Sequence, residues 1–243
     1  MLSRSLRFRN GVAVAAAIAT LLAGCGDDDS SGTADTTTTS TTSTTTTAPS
    51  SSTSVVQLEQ PAVWPAPDVV FATPEAAASD FITKGLGAEP VLGDFQAGDS
   101  RSGEMEVFSP GEGGGTQVVR SLLLLRQLGP DNGWFVIAAI NEHASITTPE
   151  ARVEVAAGPL DVAGVARGFE ANVVVSGFQA GTTQVLDQIV TSGGSMETAE
   201  PYGVTLDLTG AQPGGTVVLM VRGGTGLEDD PGEFSAIPVI IEP

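Results

Sequence analysis

From Ala144 to Ile241 the chain breaks into short apolar and β-branched runs separated by turns carrying glycine or proline, and this rhythm restricts its fold more than any other feature. Candidate strands run over Ala144–Thr147, Arg152–Val155, Leu160–Ala166, Asn172–Phe178, Gln184–Val190, Tyr202–Leu208, Thr216–Arg222 and Ile237–Ile241. Val204, Leu206 and Leu208 alternate with Thr205 and Asp207, the period-2 pattern of a strand with one buried face. Seven or eight such strands in about 100 residues, with turn signals between them and no helical period, predict an all-β sandwich over residues 144–243. The sandwich has no cysteine, so burial alone must hold its two sheets together.

Residues 61–143 have a different texture and predict a small α+β unit, one helix on an antiparallel sheet. Thr73-Pro74-Glu75 is a helix entry: a hydroxyl cap, proline at the first helical position and an acid in the first turn. Ala77, Ala78, Phe81 and Ile82 supply an apolar face, and Gly85 or Gly87 ends the helix. Strands are expected at Gly103–Ser109, Thr116–Leu128 and Trp134–Ile140, the last two joined through the turn Pro130-Asp131-Asn132-Gly133. Leu122 to Leu125 are apolar on both faces, as expected where a helix covers one side of the sheet.

Three segments of the C-terminal part carry a family likeness. Ile146-Thr147-Thr148-Pro149, Gly158 to Ala166 (GPLDVAGVA) and Phe169-Glu170-Ala171-Asn172 leading into Val173-Val174-Val175 resemble the Gmad2 domain. The resemblance implies an immunoglobulin-like module of bacterial envelope proteins, of the kind found beside sporulation and germination domains. Its usual companion is a GerMN domain, which residues 61–143 do not resemble. A closer likeness is to actinobacterial lipoproteins that pair this sandwich with a short α+β region.

The N-terminus predicts where such a module is placed. Arg4, Arg7 and Arg9 precede a twelve-residue apolar run, Gly11 to Leu22, which is followed by Leu22-Ala23-Gly24-Cys25. A basic stretch, a short apolar stretch and small residues at a cleavage point are the parts of an export signal. A bilayer-spanning helix needs about 20 apolar residues, so this run is too short to cross comfortably. The quartet resembles the lipobox of bacterial lipoproteins, which implies a signal at residues 1–24, cleavage before Cys25 and lipid on its thiol. Attachment through more than one acyl chain suits the physics, because a single chain gives only marginal membrane binding. Residues 25–60 then read as a disordered tether. Thr36 to Thr47 is an unbroken tract of ten threonines and two serines, with too little apolar surface to offset chain entropy. About 35 residues reach roughly 110 Å when extended. Hydroxyl-rich stretches beside proline resemble O-glycosylated stalks.

After the signal is removed, 7 basic and 29 acidic residues remain, a formal balance of −22. That surface repels phosphate backbones, so no nucleic-acid partner is expected. The chemistry-bearing residues are sparse. The one histidine, His143, stands beside Glu142 at the proposed domain junction; it is a pH-responsive hinge or a hydrogen-bonded linker residue. One histidine and one lipid-bearing cysteine cannot build the usual zinc sites. No nucleophile-elbow motif accompanies His143. Gly111 to Gly115 and Gly223-Gly224-Thr225-Gly226 lack a Walker lysine and read as hairpin connections. Glu228-Asp229-Asp230 with Glu233 reads as an exposed acidic turn, with weak Ca²⁺ binding as the alternative. Asp99 and Arg101 read as a salt-bridged turn or a ligand loop, and Trp64 and Trp134 as core residues or exposed anchors.

No catalytic, metal or cofactor site follows from these residues, and no ligand-binding set can be named. The expected function is that of a non-enzymatic binding or structural module, exported and held by lipid on Cys25 at the outer face of the cell membrane. Its expected partner is an envelope protein or a wall polymer. The alternatives are a small-ligand carrier or sensor with a pocket near Phe81 and Trp134, and, more distantly, a wall hydrolase using paired carboxylates.

Overall fold

Among the described residues the Leu-rich run after Val118 forms the longest strand, and the others assemble around it in a mostly antiparallel, sandwich-like β fold with one short α-helix. The computed structural model describes residues 58–110, 117–227 and 229–243. The signal, Cys25, nearly all of the Thr/Ser-rich tether, the Gly111–Gly115 loop and Glu228 lie outside the described residues. No helix among the described residues is long and apolar enough to cross a membrane.

Helix α1 (Pro74–Asp80) begins where the cap motif places it. The Thr73 hydroxyl accepts the Ala76 N–H at 3.2 Å, and Pro74 opens the first turn. A π-helical turn, Phe81–Gly85, continues it, and together they bury Ala77, Ala78, Phe81 and Ile82. The chain then forms β1 (Val91–Leu92), β2 (Gln96–Asp99), β3 (Ser102–Phe108), β4 (Val119–Leu128) and β5 (Gly133–Ile140). The turn at Pro130–Gly133 joins β4 to β5 as expected, with Asn132 in the left-handed region. Beyond residue 143 come β6 (Ala144–Thr148), β7 (Glu154–Val155), β8 (Pro159–Ala166), β9 (Asn172–Gln179), β10 (Val185–Ser192), β11 (Glu200–Asp207), β12 (Thr216–Gly223) and β13 (Phe234–Ile241).

These strands make two sheets. The smaller has the order β11-β8-β6. The larger has ten strands and runs β1-β3-β4-β5-β13-β12-β9-β10, with β2 beside β3 and β7 parallel to β13. The pairing of β13 with β5, registered at Ala236 and Ala139, makes the large sheet continuous across residue 143.

Alternation along β12 and β13 divides the interior into two cores. Val217, Leu219, Val221, Val239 and Ile241 face the small sheet and meet Val162, Ala166, Leu206 and Leu208. Val218, Met220, Phe234 and Ala236 lie in the other core, with Phe81 and Ile82 of the helical segment and with Leu123, Leu125 and Val136 of β4 and β5. Phe81 lies between Trp64 and Phe234, at ring-centre separations of 6.2 and 6.4 Å. One hydrophobic core is therefore built from residues on both sides of His143.

The chain's single tyrosine reports on the small sheet. Tyr202 stands opposite Gly164 of β8, and its hydroxyl donates to the Ser145 carbonyl of β6 at 3.2 Å. Only the neutral phenol can make that bond, and burial pushes its pKa well above the ordinary tyrosine value. Folding thus favours the protonated form: its stabilisation is complete below the unfolded value of about 10 and is lost as pH rises above it. A spectrophotometric titration should show no phenolate near pH ~10 in the folded protein and an ordinary midpoint in denaturant. A normal midpoint in the folded chain would contradict the placement of Tyr202.

Candidate interaction cleft

The connection from β5 to β6 is three residues long, Asn141-Glu142-His143, and it carries the chain from the large sheet to the small one. Asn141 fixes this step. Its Oδ1 accepts the N–H groups of His143 and Ala144 at 2.7 and 3.1 Å, and its Nδ2 donates to the Arg120 carbonyl at 2.9 Å. Its own N–H donates to Ser235 Oγ of β13 at 2.8 Å. Ser121 adds a bond from its hydroxyl to the Ile140 carbonyl. The backbone N–H groups at the step are thus satisfied by Asn141 and Ser235, while the Glu142 side chain remains largely exposed.

A cleft of about 700 Å³ opens beside this step. Leu122, Ile140, Ile146 and Ile237 line it, with Val118 and Val119 also in its wall. Leu122 and Ile140 are directly opposed across β4 and β5. Ile140, Val118 and Val119 are 46, 48 and 42% exposed. Large apolar side chains clustered at this exposure mark an interaction surface more often than isolated ones do. The sandwich's small sheet covers the β12–β13 side of the large sheet, while Leu58 and Ala62 pack with Leu124, Leu128, Phe135 and Ile137 towards the far end of β4 and β5. The cleft is the uncovered corner between them.

Two arginine–carboxylate pairs tie the loop before β13 to the sheet, one of them in the cleft wall. Arg167 meets Glu233 in a two-bond fork at 2.8 and 2.7 Å, and both line the cleft. This bonding holds the Arg167 pKa above its ordinary value. Arg120 forms a second fork with Asp230, Nε to Oδ1 at 2.9 Å with Nη2 on Oδ2. Asp230 and Glu233 are 2 and 6% exposed, which corrects the reading of these two as part of an exposed acidic turn, whereas Asp229 is exposed. Their carboxylates are committed to arginines distant in sequence, so weak Ca²⁺ binding has no support from them. Gly232 makes the turn between them. It lies at φ 71° and a Cβ there would overlap the Gly223 carbonyl, so both its conformation and its space require glycine.

The other singled-out residues fall into plain roles. His143 is half-buried at the edge of the cleft, its Nε2 at 3.3 Å from Glu142. Trp64 and Trp134 are core residues, and Trp64 Nε1 donates to Asp80 at 2.8 Å. Asp99 caps its own turn by accepting the Arg101 N–H at 2.7 Å, while the Arg101 guanidinium reaches Gln127 O and Glu59. The pocket expected near Phe81 and Trp134 is filled: Phe81 is fully buried against Trp64 and Phe234, and Phe95 packs edge-on to Trp134 at 5.2 Å. Phe169 opens a turn in which Glu170 and Ala171 are left-handed, at φ 53° and 59°, and the Phe169 N–H donates to the Gly224 carbonyl. Arg120, Asn141, Arg167 and Ser235 were not picked out from the sequence. A charged residue inside the apolar run Val118 to Leu125 was the available signal for Arg120, because an arginine buried in a strand requires a counterion.

Residues 143–223 match the family Gmad2, described as an immunoglobulin-like domain of bacterial spore germination. The match starts at His143 and ends with β12, so it covers about a third of the chain and leaves out β13 and everything before His143. No curated protein and no solved structure matches the chain.

Proposed function

We propose that this chain is an exported lipoprotein, anchored by lipid on Cys25, whose folded part is a non-enzymatic binding module for another protein of the cell envelope. The observation that carries the reading is the apolar cleft at the Asn141–His143 step, where a matched immunoglobulin-like domain is extended by β3, β4 and β5 into a surface it would not have alone. The family description associates the domain with spore germination, and a role in such a process rests on that match. The lipid anchor rests on the Leu22–Cys25 quartet and the basic, apolar stretch before it.

An introduced charge separates this reading from a passive spacer. Ile140→Asp places a carboxylate in the cleft at a partly exposed position, and Val190→Asp does the same at an exposed strand position outside it. Crosslinking in intact cells should recover an envelope protein with wild type and Val190→Asp, and lose it about ten-fold or more with Ile140→Asp. Equal recovery from all three would remove the cleft from the function. The anchor has its own test: globomycin should block processing, and Cys25→Ala should release the chain from the membrane.

A further inference from the structure

A second cleft, of about 540 Å³, lies between the Lys84–Gly87 turn, the exposed side of β9 and β10, and the loop after β12; it shares no lining residue with the first. Its volume is within the ~300–1,000 Å³ of small-ligand sites. It holds two cations, with Asp230 also in its lining. The chain after Cys25 has seven basic residues, and two of them, Lys84 and Arg222, line this cleft.

The two cations are not equivalent. Lys84 is 2.7 Å from Asp80 and is neutralised there. Arg222 stands in the middle of the large sheet, opposite Val174 on β9 and Phe234 on β13. Its Nη1 donates to the Leu86 carbonyl at 3.2 Å and its Nη2 to the Asp230 carbonyl at 2.9 Å. These acceptors are neutral backbone oxygens. Asp230's carboxylate, although near, is committed to Arg120 and to the Gly232 N–H. Among the described residues Arg222 has no ion pair, in contrast to Arg120 and Arg167, and burial disfavours its charged form. A guanidinium has five N–H donors, and two account for these bonds.

We infer that this cleft binds the C-terminal carboxylate of a peptide, with Arg222 as the anchoring cation. A guanidinium bonded to neutral carbonyls, with no ion pair among the described residues, matches a monoanion in charge, and its remaining N–H donors match a carboxylate in geometry. Phe178, Met220 and Val185 give apolar wall for a terminal side chain, while Thr183 and Gln188 supply hydroxyl and amide groups for the adjoining peptide unit. The inference is independent of the first cleft, and Ile140→Asp should leave it unchanged.

The test is a titration of the full ¹⁵N-labelled chain with acetyl-Leu-Ala bearing a free carboxylate, with the same peptide as its C-terminal amide, and with acetate. The free acid should shift the Arg222 Nε–H resonance saturably. The amide and acetate should bind about ten-fold or more weakly, and Arg222→Met should abolish the acid's effect. Because Arg222→Met also removes two bonds to carbonyls, the comparison of acid with amide on the wild-type chain decides the matter if the variant fails to fold. Equal binding of acid and amide, or no saturation with either, overturns the inference. Acetate binding as tightly as the peptide also overturns it, since the site would then be an isolated anion site.

Discussion

Asp230→Ala should destabilise the folded chain by about 3–5 kcal/mol, as expected when one partner of a buried ion pair is removed. Arg120 is only 8% exposed, and the substitution leaves its guanidinium beside the loop before β13 without a counterion. Against a typical domain stability of about 5–15 kcal/mol, that is a large share. The same removal frees the Gly232 N–H, which Asp230 Oδ1 accepts at 2.9 Å. The double variant Arg120→Met with Asp230→Ala should recover part of the loss, because no charge is then stranded. Urea denaturation of the wild type, both single variants and the double variant gives the coupling directly. Additive losses would show that the pair does not act as one interaction.

Phe81→Ala should cost a comparable amount, about 3–5 kcal/mol for a fully buried aromatic. Its ring fills the space between Trp64 and Phe234, so truncation opens a cavity in the core that the helical segment shares with β12 and β13. The location of the damage is the more informative quantity. If the helical layer were an independent cap, the loss would appear near Trp64 and leave the small sheet intact. With a shared core and a continuous sheet, the variant should lower the denaturation midpoint of the whole unit without changing the number of transitions. Urea curves followed by tryptophan fluorescence check this, as both tryptophans lie before residue 143.

What the sequence revealed and what it concealed follow from the range of the interactions. The strands between Ala144 and Ile241 are visible because glycine and proline interrupt β-branched runs, and the observed bounds of β6, β9 and β12 lie within one residue of expectation. The start of α1 is visible for the same local reason, since Thr73, Pro74 and Glu75 act within one turn. The pairing of β13 with β5 left no local trace: Ala139 and Ala236 are ordinary small residues in apolar runs, and their meeting depends on how the chain crosses at Asn141. β1 and β2 were missed because two and four residues with mostly exposed side chains give no period to read.

The candidate site was legible only in fragments. His143 and Glu142 attracted notice as a junction, and they do border the cleft, but its apolar lining comes from β4, β5, β6 and β13. Asp230 and Glu233 look like surface acids because their neighbours in sequence are acids, a proline and glycines. Their arginines are 110 and 66 residues away. A sequence window around Asp230 therefore carries the turn, through Pro231 and Gly232, without carrying the charge that buries it.

The central claim is that the immunoglobulin-like part and the layer before it form one structural unit, since the cleft requires β5 and β13 to remain side by side. Tyr202, the sole tyrosine, lies in the small sheet, while Trp64 and Trp134 lie in the preceding layer. Incorporating fluorotyrosine and following its ¹⁹F signal alongside tryptophan fluorescence through one urea titration observes both places at once. The account predicts coincident transitions with a common midpoint and slope. Two resolved transitions, with the tryptophans changing while Tyr202 keeps its native signal, would contradict it.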